Sequence, residues 1–114
     1  MDTIAKGAVQ VRQGDILLVP CAQIPCTASE QAVEEDRVVL ARGETTGHAH
    51  AMAADRVRYF REDGTGQAYI RIDGNRPVAL AHEEHSSLLV GPGDYRVVRQ
   101  REYEPAARPR LVHD

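Results

Sequence analysis

The sequence predicts an all-β fold: a small single-domain barrel or sandwich of about seven to nine short antiparallel strands. Short apolar runs recur at regular spacing along the chain, which is the pattern of a small β domain. Turn-forming residues such as Gly91-Pro92-Gly93-Asp94 separate these runs. The 114 residues allow one core, so we expect a single β domain over 1–114, with ragged termini at about 1–8 and 105–114.

The strands follow one another in order. Residues 16–20 are apolar on both faces, as in a central strand, and follow the turn pair Gly14-Asp15. Further strands are predicted at 37–41, 46–52, 56–61, 68–72, 77–81, 87–90 and 95–100.

Two turns predict hairpins. Asp63-Gly64-Thr65-Gly66 joins 56–61 to 68–72, and Gly91-Pro92-Gly93-Asp94 joins 87–90 to 95–100. At most one short helix is expected, near residues 28–35. There Thr27 and Glu30 have the spacing of a capping box, with a loop as the alternative.

Charge and hydropathy limit the partners. The formal net charge is −3, which argues against bulk attraction to nucleic acid or to anionic membranes. No apolar run approaches the ~20 residues of a membrane span. The N-terminus lacks the pattern of a signal peptide. We therefore expect a cytoplasmic protein of bacterial type, with nucleic acid an unfavoured partner and homo-oligomer formation left open.

Four histidines form two clusters. His48-Ala49-His50 has the i, i+2 spacing that places two imidazoles on one face of a strand. His82-Glu83-Glu84-His85 follows the predicted strand 77–81, and in a tight turn its two histidines converge. The alternative is a half-exposed polar strand face and a solvated corner.

A shared divalent-metal site is the interpretation that joins the two clusters. His48, His50, His82 and His85 are the predicted ligands, and Glu83 or Glu84 would serve as a further ligand or as the general base. Zn, Fe, Mn or Ni would suit such donors. Without a metal, the same histidines would act in acid–base chemistry or bind an anion.

Residues 42–50 resemble the first motif of cupins, small β-barrels that hold a metal through a Gly, His-x-His and Glu array. Gly43, His48 and His50 carry the likeness, and Ala53 and Ala54 stand where that motif has Glu. The resemblance implies a metal-dependent enzyme.

The chain is also similar to a group of short uncharacterised bacterial proteins, from about residue 12 to 104. The matching stretches are 13–20, 46–50, 82–85 and 95–103. This resemblance implies no particular activity.

Arginines near the C-terminus suggest a place for a substrate. Tyr95, Arg96, Arg99 and Arg101 form a basic and aromatic strip that suits a phosphate or a base. The alternative is an edge strand whose charges hinder aggregation. The edge-strand alternative is the preferred one; an acidic or phosphorylated substrate is expected if the strip and the arginines of the 56–61 strand face the histidines together.

Three functions are compatible with the sequence, one of them a structural β-barrel that assembles through an edge strand. The first is a metal-dependent hydrolase or cupin-like enzyme acting on a small or phosphorylated substrate. The alternative is a non-catalytic module that binds a ligand, nucleic acid or a protein partner and has structural histidines.

Overall fold

The computed structural model describes residues 8–42, 49–82 and 86–100. These residues form ten β-strands and no helix, which confirms the all-β prediction. The strands are β1 Val11–Gln13, β2 Ile16–Cys21, β3 Ala28–Glu30, β4 Arg37–Arg42, β5 Ala49–Ala53, β6 Val57–Glu62, β7 Ala68–Ile72, β8 Val78–Leu80, β9 Leu88–Val90 and β10 Gly93–Arg99. The predicted strand at 46–52 is β5 from Ala49 onward, and its first three residues lie outside the described ranges.

The strands form two layers. Six of them make one antiparallel sheet in the order β1-β2-β10-β7-β6-β3. The hairpins β4-β5 and β8-β9 make the other layer, and a bridge between Ala51 and Ala81 connects them. The described strands do not close into a barrel, and the arrangement fits a sandwich.

Alternation along the strands produces the core. In β10, Tyr95 and Val97 are buried while Arg96 is exposed. The register places Tyr95 beside Ile70 of β7, and Ile70 beside Tyr59 of β6. One face of the large sheet is therefore apolar, and each fully buried Leu or Ile on it contributes about 1.5–3 kcal/mol.

The second layer supplies the facing side chains. Val38 and Met52 are cross-strand partners in β4-β5, and both are buried. Leu80 of β8 and Val90 of β9 are fully buried as well. These residues belong to the same hydrophobic cluster as the large sheet's apolar face.

Residues 28–35 contain no helix, which the prediction of at most one short helix allowed. Residues 28–30 form strand β3, which pairs with β6 at the edge of the large sheet. The polar groups of the capping-box pattern have partners across the sheet instead. Thr27 donates from its hydroxyl to the Glu62 carboxylate at 2.6 Å, and Glu30 pairs with Arg58.

The hairpin expected between 87–90 and 95–100 is wrong. β9 pairs with β8, whereas β10 lies between β2 and β7 in the other layer. The chain crosses between layers at Gly91-Pro92, where proline has no N–H with which to continue a ladder. β10 is therefore an interior strand, so the edge-strand alternative for its arginines is wrong.

Other turns agree with the sequence. The Asp63–Gly66 segment joins β6 to β7 as predicted. Gly14-Asp15 is a two-residue hairpin loop, because Gln13 pairs with Ile16. Gly14 has φ +59°, as such tight turns require. This loop adds β1, which was not predicted, to the start of the sheet.

No helix in the described ranges has the length and apolar character that crossing a membrane would require.

Candidate metal centre

His50 is a buried histidine on the inner side of β5. It pairs with Ala41 of β4 and is 3% exposed. Ala49 and Ala51 flank it and are themselves buried. These small neighbours allow an imidazole to be packed inside the strand pair, and burial of a polar ring requires hydrogen-bond partners.

Gln13 supplies one of those partners. Its amide Nε2 donates to the carbonyl oxygens of Leu80 and Ser86, each at 2.9 Å. Its Oε1 lies 2.8 Å from Nδ1 of His50. One buried side chain thus contacts both ends of the segment that carries His82–His85 and also the histidine of β5.

The Gln13 contacts determine which nitrogen of His50 carries the proton. Both carbonyls are acceptors only, so they require the NH₂ end of the Gln13 amide. Oε1 therefore faces His50, and Nδ1 must donate to it. In a neutral imidazole the lone pair is then on Nε2.

Nε2 of His50 faces a carboxylate. It lies 3.3 Å from Oδ1 of Asp15, which the Gly14-Asp15 turn holds beneath the strand pair. A lone pair this close to an anionic oxygen is unfavourable unless a positive charge lies near them. The Arg99 guanidinium on the other Asp15 oxygen supplies one such charge, and a proton on Nε2 or a metal cation would supply another.

Arg99 partly neutralises Asp15. Its Nε donates to Oδ2 of Asp15 at 2.8 Å, and its Nη2 donates to the carbonyl of Arg42 at 2.8 Å. Burial raises the pKa of Asp15, but the hydrogen bond and charge of Arg99, a backbone hydrogen bond and the charge of His50 together lower it by more, so the net pKa lies below its usual value. Asp15 is therefore an ionised carboxylate at neutral pH.

His82 lies against His50. Their ring centroids are 4.2 Å apart and the ring planes are inclined by 33°. The two hydrogen bonds between Ala51 and Ala81, at 3.0 and 2.8 Å, bring the end of β8 beside β5. The two histidine clusters of the sequence therefore meet, through His50 and His82.

The remaining predicted ligands lie outside the described residues. These are His48, Glu83, Glu84 and His85. Among residues 8–42, 49–82 and 86–100, no group of three His, Cys, Asp or Glu side chains could hold a metal ion. A complete metal site would therefore need at least one donor from outside the described residues, and His48, Glu83, Glu84 and His85 are the predicted ones.

The predicted substrate strip is divided between the two faces of β10. Tyr95 is fully buried and donates its hydroxyl proton to the carbonyl of Gly91 at 2.6 Å. Arg96 is exposed on the opposite face, and Arg99 bonds Asp15 next to His50. Arg101 lies outside the described residues. The role of the strip in substrate binding stays a prediction.

Sequence reasoning missed Gln13 and Asp15. Both belong to the β1–β2 hairpin, 35 to 37 positions before His50 along the chain. The one available signal was Gln13 itself, a polar residue two positions after Val11 and beside the apolar run 16–20. A glutamine that faces the core needs hydrogen-bond partners there, so its presence indicates other buried polar groups nearby.

The comparisons with known proteins give a family without an assigned activity. A family model described as a domain of unknown function (DUF8820) matches residues 12–100. No curated protein and no solved structure matches the chain.

Proposed function

We propose that this chain, which belongs to the DUF8820 family, binds a divalent metal ion through His50 and His82, completed by one or more of His48, Glu83, Glu84 and His85. The observation that supports the proposal most is the placing of Nε2 of His50 beside the Asp15 carboxylate. The proton on Nδ1 is committed to Gln13, and a metal-binding histidine typically donates its other N–H in this way.

Nε2 of His50 and Oδ1 of Asp15 are 3.3 Å apart, so the carboxylate lies near enough to stabilise a cation bound at Nε2. The likeness of residues 42–50 to the first cupin motif adds an argument for His48 and His50 as the paired ligands.

The reaction class we propose for this centre is metal-assisted hydrolysis of a small or phosphorylated substrate in the cytoplasm. A divalent ion supplies a Lewis acid and lowers the pKa of bound water. Glu83 or Glu84 would be the general base. Oxygen chemistry of the cupin type is the alternative reaction.

A non-catalytic binding module is the second candidate function. One observation favours it: both ring nitrogens of His50 lie near protein atoms, Gln13 Oε1 and Asp15 Oδ1. A protonated His50 would bridge these two residues and stabilise the sandwich without any metal.

Metal titration separates the two candidates. Untagged protein, stripped with a chelator, is titrated by calorimetry with Zn(II), Mn(II), Ni(II) and, under anaerobic conditions, Fe(II). We expect one ion per chain for at least one of these metals. His50→Ala and His82→Ala should each weaken binding by more than about 100-fold, and the control His113→Ala, outside both clusters, should not.

If the folded protein binds none of the four metals at micromolar concentration, the proposed metal centre is wrong. If ¹⁵N spectra of that protein then show His50 with both nitrogens protonated, the histidine has the structural role.

A further inference from the structure

An open cleft of about 380 Å³ lies on the inner side of β6, β7 and β10. Its apolar lining comes from Ile16, Leu40, Ala68 and Val97, and its polar lining includes Tyr59 and Arg61. The volume is within the range of about 300–1,000 Å³ that small-molecule sites occupy. The cleft therefore has room for a compact ligand with an apolar part.

Arg61 presents a fixed guanidinium to this cleft. Its Nη1 donates to the carbonyl of Gly66 at 2.9 Å, and its Nη2 donates to the hydroxyl of Tyr59 at 2.6 Å. The guanidinium carbon also lies 5.6 Å from the centre of the Tyr59 ring. Because neutral acceptors hold it on both sides, the group is oriented before any ligand arrives.

No carboxylate in the described part of the chain balances the charge of Arg61. None of the ion pairs among residues 8–42, 49–82 and 86–100 includes it. Glu62, its neighbour in β6, accepts hydrogen bonds from Thr27 and Thr65 and makes no ion pair with Arg61. Arg99 also lines the cleft, but Asp15 balances its charge.

Tyr59 adds a second donor. Its oxygen accepts the hydrogen bond from Arg61, so its own proton must go to another acceptor. No described residue accepts that proton. The cleft thus offers a guanidinium and a phenol O–H, both donors, beside a smaller apolar surface.

We propose that this cleft binds a small organic carboxylate whose apolar part packs on Ala68 and Val97. A carboxylate carries one negative charge, which matches the charge of Arg61. Its two oxygens accept hydrogen bonds both from the N–H groups of a guanidinium and from the O–H of a phenol. Inorganic phosphate has the charge but nothing to place on the apolar lining. This proposal does not depend on the metal centre.

The test uses benzoate as the probe, with the full chain held in a chelator so that no metal contributes. Binding is followed by ¹H–¹⁵N correlation spectra. We expect saturable shifts at the amides of Gly66, Gln67 and Ala68, and none at Arg58 or Arg96 on the opposite face. Benzyl alcohol, which lacks the charge, should bind at least about tenfold more weakly.

Variants test the two donors. Arg61→Gln should weaken benzoate binding at least about tenfold, and Tyr59→Phe, which keeps the cation, about three- to tenfold. The control is Arg58→Gln on the outer face of the same strand, where Arg58 pairs with Glu30. It should leave the affinity within about twofold.

Three results would overturn the proposal. These are the absence of saturation by about 10 mM benzoate, equal affinity in Arg61→Gln, and phosphate binding as tight as benzoate binding. Because metal is absent throughout, failure here is distinguishable from failure of the metal centre.

Discussion

Gln13 accepts a hydrogen bond from Nδ1 of His50 across 2.8 Å, although the two residues lie 37 positions apart in the chain. The same amide donates to the carbonyls on either side of the His82–His85 segment. A single buried glutamine thus connects the first hairpin, the strand of His50 and the segment of the second histidine cluster.

Removing the Gln13 amide should destabilise the sandwich. Gln13→Leu keeps a side chain of similar length but leaves two carbonyls and the Nδ1 proton of His50 without this partner. We expect the free energy of unfolding to fall by about 2–4 kcal/mol. Urea denaturation measures it, with Arg12→Leu, exposed on the same strand, as a control expected to change by less than ~0.5 kcal/mol. Equal stabilities in the two variants would contradict the role of the amide.

The Asp15–Arg99 pair should make stability depend on acid pH. The pKa of Asp15 is lower in the folded chain than its ordinary value, since Arg99, a backbone hydrogen bond and His50 together outweigh the effect of burial. The carboxylate therefore contributes stability above the unfolded pKa of about 3.9. This contribution is lost as the pH falls through the folded pKa.

Asp15→Asn tests this dependence in chelator-treated protein. At pH 6–7 the variant should be less stable than the parent, by on the order of 1 kcal/mol. The gap should close as the pH approaches 2. A gap that stays constant with pH would mean that the Asp15 charge is not involved.

The buried phenol of Tyr95 should limit stability at alkaline pH. Burial raises the pKa of Tyr95, so the folded state keeps its proton while the unfolded state loses it above about pH 10. A group with a raised pKa contributes stability that is present below the unfolded pKa and is lost as the pH rises toward the folded pKa.

Tyr95→Phe separates the hydrogen bond from this titration. At pH 7 it should lose about 1 kcal/mol, because the bond to the Gly91 carbonyl is gone. Above pH 10 the parent should lose its advantage by up to ~1.4 kcal/mol per pH unit. Urea midpoints at pH 7, 9 and 11 measure both effects. Parallel pH profiles would contradict the prediction.

The planar guanidinium of Arg56 should stabilise the turn that follows β7. The guanidinium donates to the carbonyls of Asp73, Arg76 and Pro77 at 3.3, 2.6 and 3.0 Å. Lysine retains the charge, but its single nitrogen cannot replace the two guanidinium nitrogens that make these contacts. Arg56→Lys should therefore cost about 1–2 kcal/mol in thermal or urea unfolding.

Arg58→Lys is the matched control in the same strand. Arg58 makes one exposed ion pair with Glu30 at 3.5 Å, and such pairs contribute little. If Arg58→Lys lowers the free energy of unfolding as much as Arg56→Lys does, the three carbonyl contacts of Arg56 are not the cause of the loss.

Strand periodicity was determined by the sequence itself. The alternation of Tyr95 and Val97 against Arg96, and the apolar run 16–20, predicted strands that the fold contains at almost the same bounds. These patterns are local, because the side-chain period of a strand is 2 and one face is buried. The i, i+2 spacing likewise placed His50 in a strand.

Strand pairing was decided only by the tertiary structure. The turn at 91–94 has the residues of a hairpin, yet β10 pairs with β2 and β7 because the apolar side chains of β9 and β10 belong to opposite layers. The residues of the capping-box pattern at 27–30 likewise lie at an edge strand, where Thr27 and Glu30 bond to Glu62 and Arg58 of β6.

The candidate site shows the same division. Sequence identified the histidines, because two clusters of this composition are evident from spacing alone. It did not indicate Gln13 or Asp15, whose contacts with His50 form when β1–β2 packs beneath β5. Hydrogen bonds between residues this far apart in the chain leave no periodic pattern, so only the packed sandwich determines which polar side chains meet the imidazole.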